Sequence, residues 1–166
     1  MSEFQEMLKV DSEDTLRFFF SSLLQVLVNN KKPYKESQLL YVSSVLAHYA
    51  QVTRGGDESK PVLAGLTDIF DLFIINREVP TDADILEWGG SQIILFAGFF
   101  RDQMRRRHNP AFYDRIGQAL YLRASREKSY KQRGFFEELS SNVPFWTSSC
   151  CRLSRYLRHQ RYLLNN

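Results

Sequence analysis

Apolar residues recur every three or four positions along almost the whole chain, and this helical spacing limits the fold more than any other feature. The alternation of apolar and polar residues that marks a half-buried strand is nearly absent. The spacing therefore predicts an all-α protein. We expect one compact domain, a bundle of about six or seven helices in which helices adjacent in sequence pack as antiparallel neighbours.

Polar residues and prolines predict where the first helices begin and end. Asp11 or Ser12 is expected to cap the first helix, which makes residues 1–10 a tail and residues 11–166 the helical domain. A second helix is predicted from about residue 35 to residue 52, and a third is predicted to start at Pro61.

Further helix boundaries follow from glycine, asparagine and proline in the second half. Gly89 and Gly90 are predicted to break or bend the fourth helical stretch. Asn109 is predicted to cap the fifth helix, with Pro110 at its first position, where a missing N–H costs nothing. Pro144 is predicted to kink or split the last helical region.

The sequence predicts a cytoplasmic protein without a membrane span. Its longest apolar run, residues 93–100, is much shorter than the roughly 20 residues that a spanning helix needs. The first ten residues lack the basic and then apolar pattern of a secretory signal. Cys150 and Cys151 are adjacent and cannot close a useful loop, so we expect two buried, reduced thiols.

Sequence motifs that carry catalytic groups or hold cofactors are absent. We therefore predict no catalytic residue, no metal and no cofactor. One alternative stays open: Asp68 and Asp71 lie three residues apart on one helix surface. Together with His48 and an arginine, they would line a ligand pocket or an active site if the fold brought these side chains together.

Charge is divided unevenly along the chain. Residues 1–100 contain 14 acidic and 8 basic side chains, whereas residues 101–166 contain 5 acidic and 14 basic ones. This split indicates either an anionic partner for the arginine-rich half or attraction between the two halves. The candidate residues for an anionic partner, including a nucleic acid, are Arg101, Arg105, Arg106, Arg107, Arg152 and Arg155.

The main functional prediction is a non-enzymatic interaction or regulatory protein. The chain has more large aromatic residues than the apolar stripes of six helices require. Phe18, Phe99 and Phe136 lie beside those stripes and are the predicted interface residues, for a protein partner or for self-association as a homodimer. Nucleic-acid binding is the first alternative, and the ligand pocket is the second.

Residues 93–125 resemble the core motif of an uncharacterised bacterial all-helical family. The resemblance rests on the segment LFAGFF at 95–100, the pairs Arg106-Arg107 and Phe112-Tyr113, and Gly117 followed by Tyr121. The segment FFEELSS at 135–141 is similar to the start of that family's last helix. The resemblance implies a bacterial helical domain and no particular reaction.

Two glycines in this segment carry a structural prediction of their own. Gly98 and Gly117 lie in helical stretches, where glycine costs about 1 kcal/mol relative to alanine. A close approach of another helix would explain that cost. We therefore expect the two glycines to mark a tight crossing of the fourth and fifth helices, with Phe99 and Tyr121 packed around it.

Overall fold

The computed structural model describes residues 3–54, 83–104 and 109–164, with side chains placed for 13–51, 83–104 and 109–159. These residues form six α-helices and no strand, which confirms the all-α class. The chain divides into two compact units, Met1–Val62 and Leu63–Asn166. The single domain over residues 11–166 stays a prediction. The third helix predicted from Pro61 lies outside the described residues.

The first unit contains helices α1 (Glu3–Asn29) and α2 (Glu36–Arg54), which pack against each other. Each helix contributes one face of buried side chains. These are Phe19, Leu23, Val26 and Leu27 on α1, and Leu39, Val42, Leu46 and Ala47 on α2. The buried positions follow the three-and-four spacing of the sequence, so the burial of one apolar stripe per helix explains why this segment folds as a helical pair.

The start of α1 differs from the prediction. The helix begins at Glu3 and not at Asp11 or Ser12, so residues 3–10 are helical; that residues 1–10 form a tail outside the domain stays a prediction. The reason is compositional. Residues 3–10 are rich in Glu, Gln, Met, Leu and Lys, which favour helices, and no glycine or proline separates them from the apolar stripe.

Helix α1 ends at Asn29, and it ends in a specific backbone arrangement. The N–H of Lys31 donates to the carbonyl of Val28 at 3.1 Å, and the N–H of Lys32 donates to the carbonyl of Leu27 at 3.1 Å. Lys31 itself has a φ of 53°, the left-handed conformation that closes such a helix end. The carbonyls of the last turn are therefore satisfied, although a lysine occupies the position that glycine usually takes.

The second unit contains four α-helices: α3 (Ala83–Ile93), α4 (Pro110–Glu127), α5 (Tyr130–Ser141) and α6 (Val143–Leu164). A π-helical segment over Ile94–Phe99 and a short 3₁₀ turn over Arg101–Gln103 follow α3. Helix α4 packs against α3, α5 and α6, and the π segment packs against α6. A buried cluster joins α3, the π segment and α4; it comprises Leu86, Ile93, Ala97, Tyr113, Ile116, Leu120 and Ala124.

Gly89 and Gly90 do not break the fourth helical stretch, so the predicted break is wrong. Helix α3 runs through both residues to Ile93, and the irregularity falls later, in the π segment. A Cβ atom at Gly90 would lie 2.7 Å from the ring of Tyr121. The glycine therefore makes room for a fully buried tyrosine on α4, which is a packing role inside a continuous helix.

Gly98 and Gly117 both mark close contacts, but not one shared crossing. A Cβ atom at Gly117 would lie 2.8 Å from Ile93, so this glycine admits α3 against α4 as predicted. A Cβ atom at Gly98 would lie 3.0 Å from the Cα of Thr147, so Gly98 brings the π segment onto α6. The sequence analysis correctly predicted that Gly98 allows a close approach of another helix, but the helix is α6 and not α4.

The predicted boundaries at Asn109 and Pro144 are confirmed. The side chain of Asn109 accepts a hydrogen bond from the N–H of Ala111 at 3.0 Å, and Pro110 occupies the first position of α4. The last helical region is split between Ser141 and Val143, which leaves Pro144 in the first turn of α6. A proline is tolerated there because the first N–H groups of a helix have no partner within the helix.

Candidate functional site

The arginines predicted to meet an anionic partner occupy two places in the described part of the second unit. Arg101 lies in the 3₁₀ turn, and Arg152 and Arg155 lie on α6. Residues 105–107, the run of three arginines, lie outside the described residues. The described residues therefore show the contacts of Arg101, Arg152 and Arg155 within this unit, and anion binding by these arginines stays a prediction.

Asp102 holds two arginines of α6. Its carboxylate accepts hydrogen bonds from Nε of Arg155 at 3.0 Å and from Nη2 of Arg155 at 2.9 Å, and it also accepts one from Arg158. The hydrogen bond from Arg155 is the largest cause that lowers the pKa of Asp102 from 3.8 to about 2. A bidentate ion pair between Arg155 and Asp102 therefore connects the 3₁₀ turn to α6.

Arg101 belongs to a second, more buried series of hydrogen bonds. Its Nε donates to the carbonyl of Ala97 at 2.7 Å, and its Nη2 donates to Oγ1 of Thr147 at 3.3 Å. The Thr147 hydroxyl in turn donates to the carboxylate of Asp114 at 2.7 Å. Burial raises the pKa of Asp114, while the hydrogen bond from Thr147 and the charge of Arg101 oppose that rise.

Most of these arginine contacts are therefore internal. Arg101 and Arg155 are engaged by groups of the same unit, whereas Arg152 is exposed and forms no ion pair within the described residues. The acids that engage them, Asp102 and Asp114, belong to the basic half of the sequence itself. A count of charge by halves could not reveal this, because both acids are surrounded in sequence by basic residues.

The acid-rich half of the chain does contribute one neutralising contact. Nζ of Lys128 lies 2.8 Å from Oε2 of Glu87 and 3.1 Å from Oδ1 of Asp84, and it lies 5.2 Å from the ring centroid of Phe136. Burial lowers the pKa of Lys128, but the hydrogen bonds to Glu87 and Asp84 raise it, and the net result is a raised pKa. Lys128 therefore connects the end of α4 to α3 and α5, which is a structural role.

The ion pair of Asp102 predicts a dependence of stability on pH. Because the folded-state pKa of about 2 lies below the ordinary 3.8, the pair contributes fully above about pH 4 and is lost as the pH falls towards 2. We expect Asp102→Asn to be less stable than the natural chain near neutral pH, and the gap to close in that acidic range. Urea unfolding of both proteins across this pH range measures it, and a gap that stays constant would contradict the prediction.

The environment of Cys150 does not favour a nucleophilic thiol. Cys150 and Cys151 are both free and buried on α6, as predicted. Burial raises the pKa of Cys150 to about 12, so the thiol stays protonated near neutral pH. Among the described residues no group of three potential ligands is placed to hold a metal ion. Within the same ranges, no helix combines the length and apolar content that crossing a membrane requires.

The residues of the predicted ligand pocket cannot be assembled from the described part of the chain. His48 is exposed on α2 of the first unit. Asp68 and Asp71 lie outside the described residues. The pocket stays an untested alternative.

The three phenylalanines predicted as an interface have different environments. Phe18 is exposed on α1, Phe99 is half-buried with its ring 5.1 Å from that of Phe100, and Phe136 is buried. The prediction for Phe136 is wrong because its ring stacks on the ring of Tyr121, with centroids 6.1 Å apart, inside the second unit. Of the three, Phe18 is the one that leaves most of its side chain in solvent.

The first unit has an apolar groove that the sequence analysis missed. The groove has a volume of about 380 Å³ and an apolar floor formed by Leu16 and Phe20 of α1 and Leu40 of α2. Leu16 and Phe20 are half-buried, and Leu40 is 48% exposed. Adjacent residues of a helix point about 100° apart, so the pair Leu39-Leu40 could have revealed that one leucine must leave the core face.

Charged side chains border this groove. Glu13 and Arg17 lie one turn apart on α1, and Glu36 lies in the first turn of α2. The groove, which we call the α1–α2 groove, thus combines an apolar floor with acidic and basic groups at its rim.

Comparison of the chain with protein-family models, with curated proteins and with solved structures finds no match. The bacterial helical family suggested by residues 93–125 therefore stays a prediction. Function has to be argued from the all-α fold and from the surfaces described above.

Proposed function

We propose that this protein is a helical interaction protein that binds another protein through the α1–α2 groove. The observation that carries the proposal is the exposure of Leu40, at 48%, beside the half-buried Leu16 and Phe20. A large apolar side chain left in solvent next to an apolar groove favours a surface that a partner covers. Grooves between two helices are a recurrent place for an amphipathic helix to dock.

The test is position-specific photo-cross-linking in cells. A cross-linking side chain replaces Leu40 in one variant and Leu122 in another. Leu122 is a matched control, because it is also an exposed leucine on a helix, at 40%, and it belongs to the second unit, whereas the groove is formed by residues of the first. We expect position 40 to give a discrete cross-linked protein that position 122 does not give. Identical products at both positions, or none at position 40, would contradict the proposal.

Nucleic-acid binding remains the second candidate, and the arginines of α6 favour it. Arg152, Arg155 and Arg158 are exposed on one helix, and among the described residues Asp102 is the one carboxylate that pairs with them, through Arg155 and Arg158. The local charge is therefore positive even after the ion pair is counted. Binding of this kind would weaken steeply with salt, because each phosphate contact releases counterions. Titration with DNA and RNA at low salt tests it, and absence of binding there would reject it.

We also propose that the protein acts in the bacterial cytoplasm. The resemblance of residues 93–125 supports a bacterial origin, and the two buried free thiols suit a reducing compartment. Fractionation of cells that express the tagged chain tests the location. Recovery in the membrane or the secreted fraction would contradict it.

A further inference from the structure

The charges at the rim of the α1–α2 groove are mixed in sign, and this restricts the partner. Glu13 and Glu36 of the groove lining are acidic, and Arg17 of the same lining is basic. The described residues provide no ion pair among these three. A partner that matches them must present the opposite signs, a cation towards the glutamates and an anion towards Arg17.

The α1 side of the groove also extends as an apolar ridge. Leu16, Phe20, Leu24 and Val28 follow one another at four-residue spacing and therefore lie in a row along one side of the helix. The first three are half-buried, and Val28 is 57% exposed. Rows of this spacing are the ridges that interdigitate in the commonest packing of two helices, so the ridge suits a helix of similar surface.

From these two observations we propose that the occupant of the α1–α2 groove is a second copy of this chain, in a two-fold symmetric dimer. A two-fold interface brings the same patch of both copies together, so the patch must be complementary to itself. The groove meets this condition: Arg17 of each copy faces Glu13 or Glu36 of the other, and the apolar ridges pack at the centre. A patch of one charge sign would repel its own copy.

This inference rests on the proposed function and names its partner. It is tested first by sedimentation equilibrium of the purified full-length chain, of Leu40→Glu and of Leu122→Glu. We expect the natural chain and Leu122→Glu to dimerise with the same affinity. Leu40→Glu should weaken the dimer by roughly 100-fold or more, because each substitution counts twice in a symmetric interface. Circular dichroism checks that all three remain helical.

A charge-swap experiment tests the pairing itself. Arg17→Glu makes the rim wholly acidic, and Glu13→Arg with Glu36→Arg makes it wholly basic. Each variant alone should be monomeric, because identical rims repel. Mixed in equal amounts, the acidic and basic variants should form a heterodimer with affinity close to that of the natural homodimer. Rescue by mixing is a result that loss of folding could not produce.

The outcomes separate this inference from the function on which it rests. Three results would overturn self-association through the groove. The natural chain stays monomeric at the highest concentration, Leu40→Glu leaves the dimer intact, or the mixed acidic and basic variants fail to form a heterodimer. In those cases a cross-link from position 40 to a different protein would still support the proposed function. If position 40 also gives no specific cross-link, both proposals fall.

Discussion

Replacement of Gly98 by leucine is expected to destabilise the protein by about 3 kcal/mol. The physical reason is the contact between the π segment and α6. A Cβ atom at Gly98 would lie 3.0 Å from the Cα of Thr147 and 3.1 Å from the Cβ of Cys150. Backbone on both sides of the contact cannot give way as a flexible side chain can, so the larger residue must push two elements of the second unit apart.

Gly134 provides a matched control for this substitution. It lies on the exposed side of α5, and a Cβ atom there would meet nothing within 4 Å. Gly134→Leu should therefore stabilise the protein by up to about 1 kcal/mol, since leucine favours a helix more than glycine does. Thermal and urea unfolding of both variants measure the contrast. A Gly98→Leu variant as stable as the natural chain would show that the close approach to α6 is wrong.

Replacement of Thr147 by valine is expected to cost about 2 kcal/mol near pH 7. The two side chains have nearly the same shape, so the loss reports on the hydroxyl. That hydroxyl donates to the buried carboxylate of Asp114 and accepts from Arg101. Without it, the buried carboxyl group of Asp114 has one hydrogen bond fewer, and a buried polar group that loses its partner costs stability.

The effect of Thr147→Val should also depend on pH. Because burial raises the pKa of Asp114, this carboxyl takes up a proton in the folded state at a higher pH than an exposed aspartate would. When the pH falls below that raised pKa, the carboxyl group is neutral and loses less stabilisation on removal of its hydrogen-bond donor, so the deficit in stability should shrink as the pH is lowered. Ser149→Ala is the control, because the Ser149 hydroxyl donates only to the Phe145 carbonyl of its own helix, at 2.8 Å. If Thr147→Val lost no more stability than Ser149→Ala, the buried hydrogen bonds from Arg101 to Thr147 and from Thr147 to Asp114 would be contradicted.

Much of the fold was predictable because the local signals agree with the tertiary packing. The three-and-four apolar spacing predicted α2, α4 and α6, and the cap at Asn109 and the break before Pro144 fall where elementary helix chemistry places them. The errors at Gly90 and Gly98 have one cause. The role of each glycine is set by the residue that packs on it, Tyr121 for Gly90 and Thr147 for Gly98, and both of these residues are far away in sequence.

The candidate site was less predictable for the same reason. The sequence identified the arginines by type, but it could not pair Arg155 with Asp102, which lies 53 residues away. The groove was missed because Leu16 and Phe20 fit the core stripe of α1, and only their position beside the exposed Leu40 shows that they also form a surface. A periodic pattern predicts which side of a helix is apolar, and it does not predict how much of that side the neighbouring helix covers.

The central claim, that a protein partner covers the α1–α2 groove, is tested most directly by thiol labelling in cells. Leu40→Cys and Leu122→Cys each introduce one accessible thiol, since Cys150 and Cys151 are buried. Labelling with a maleimide is compared in living cells and in the dilute purified protein. We expect the label to react several-fold more slowly at position 40 in cells than in dilute solution, and equally fast in both at position 122. Equal rates at position 40 in the two settings would contradict the claim.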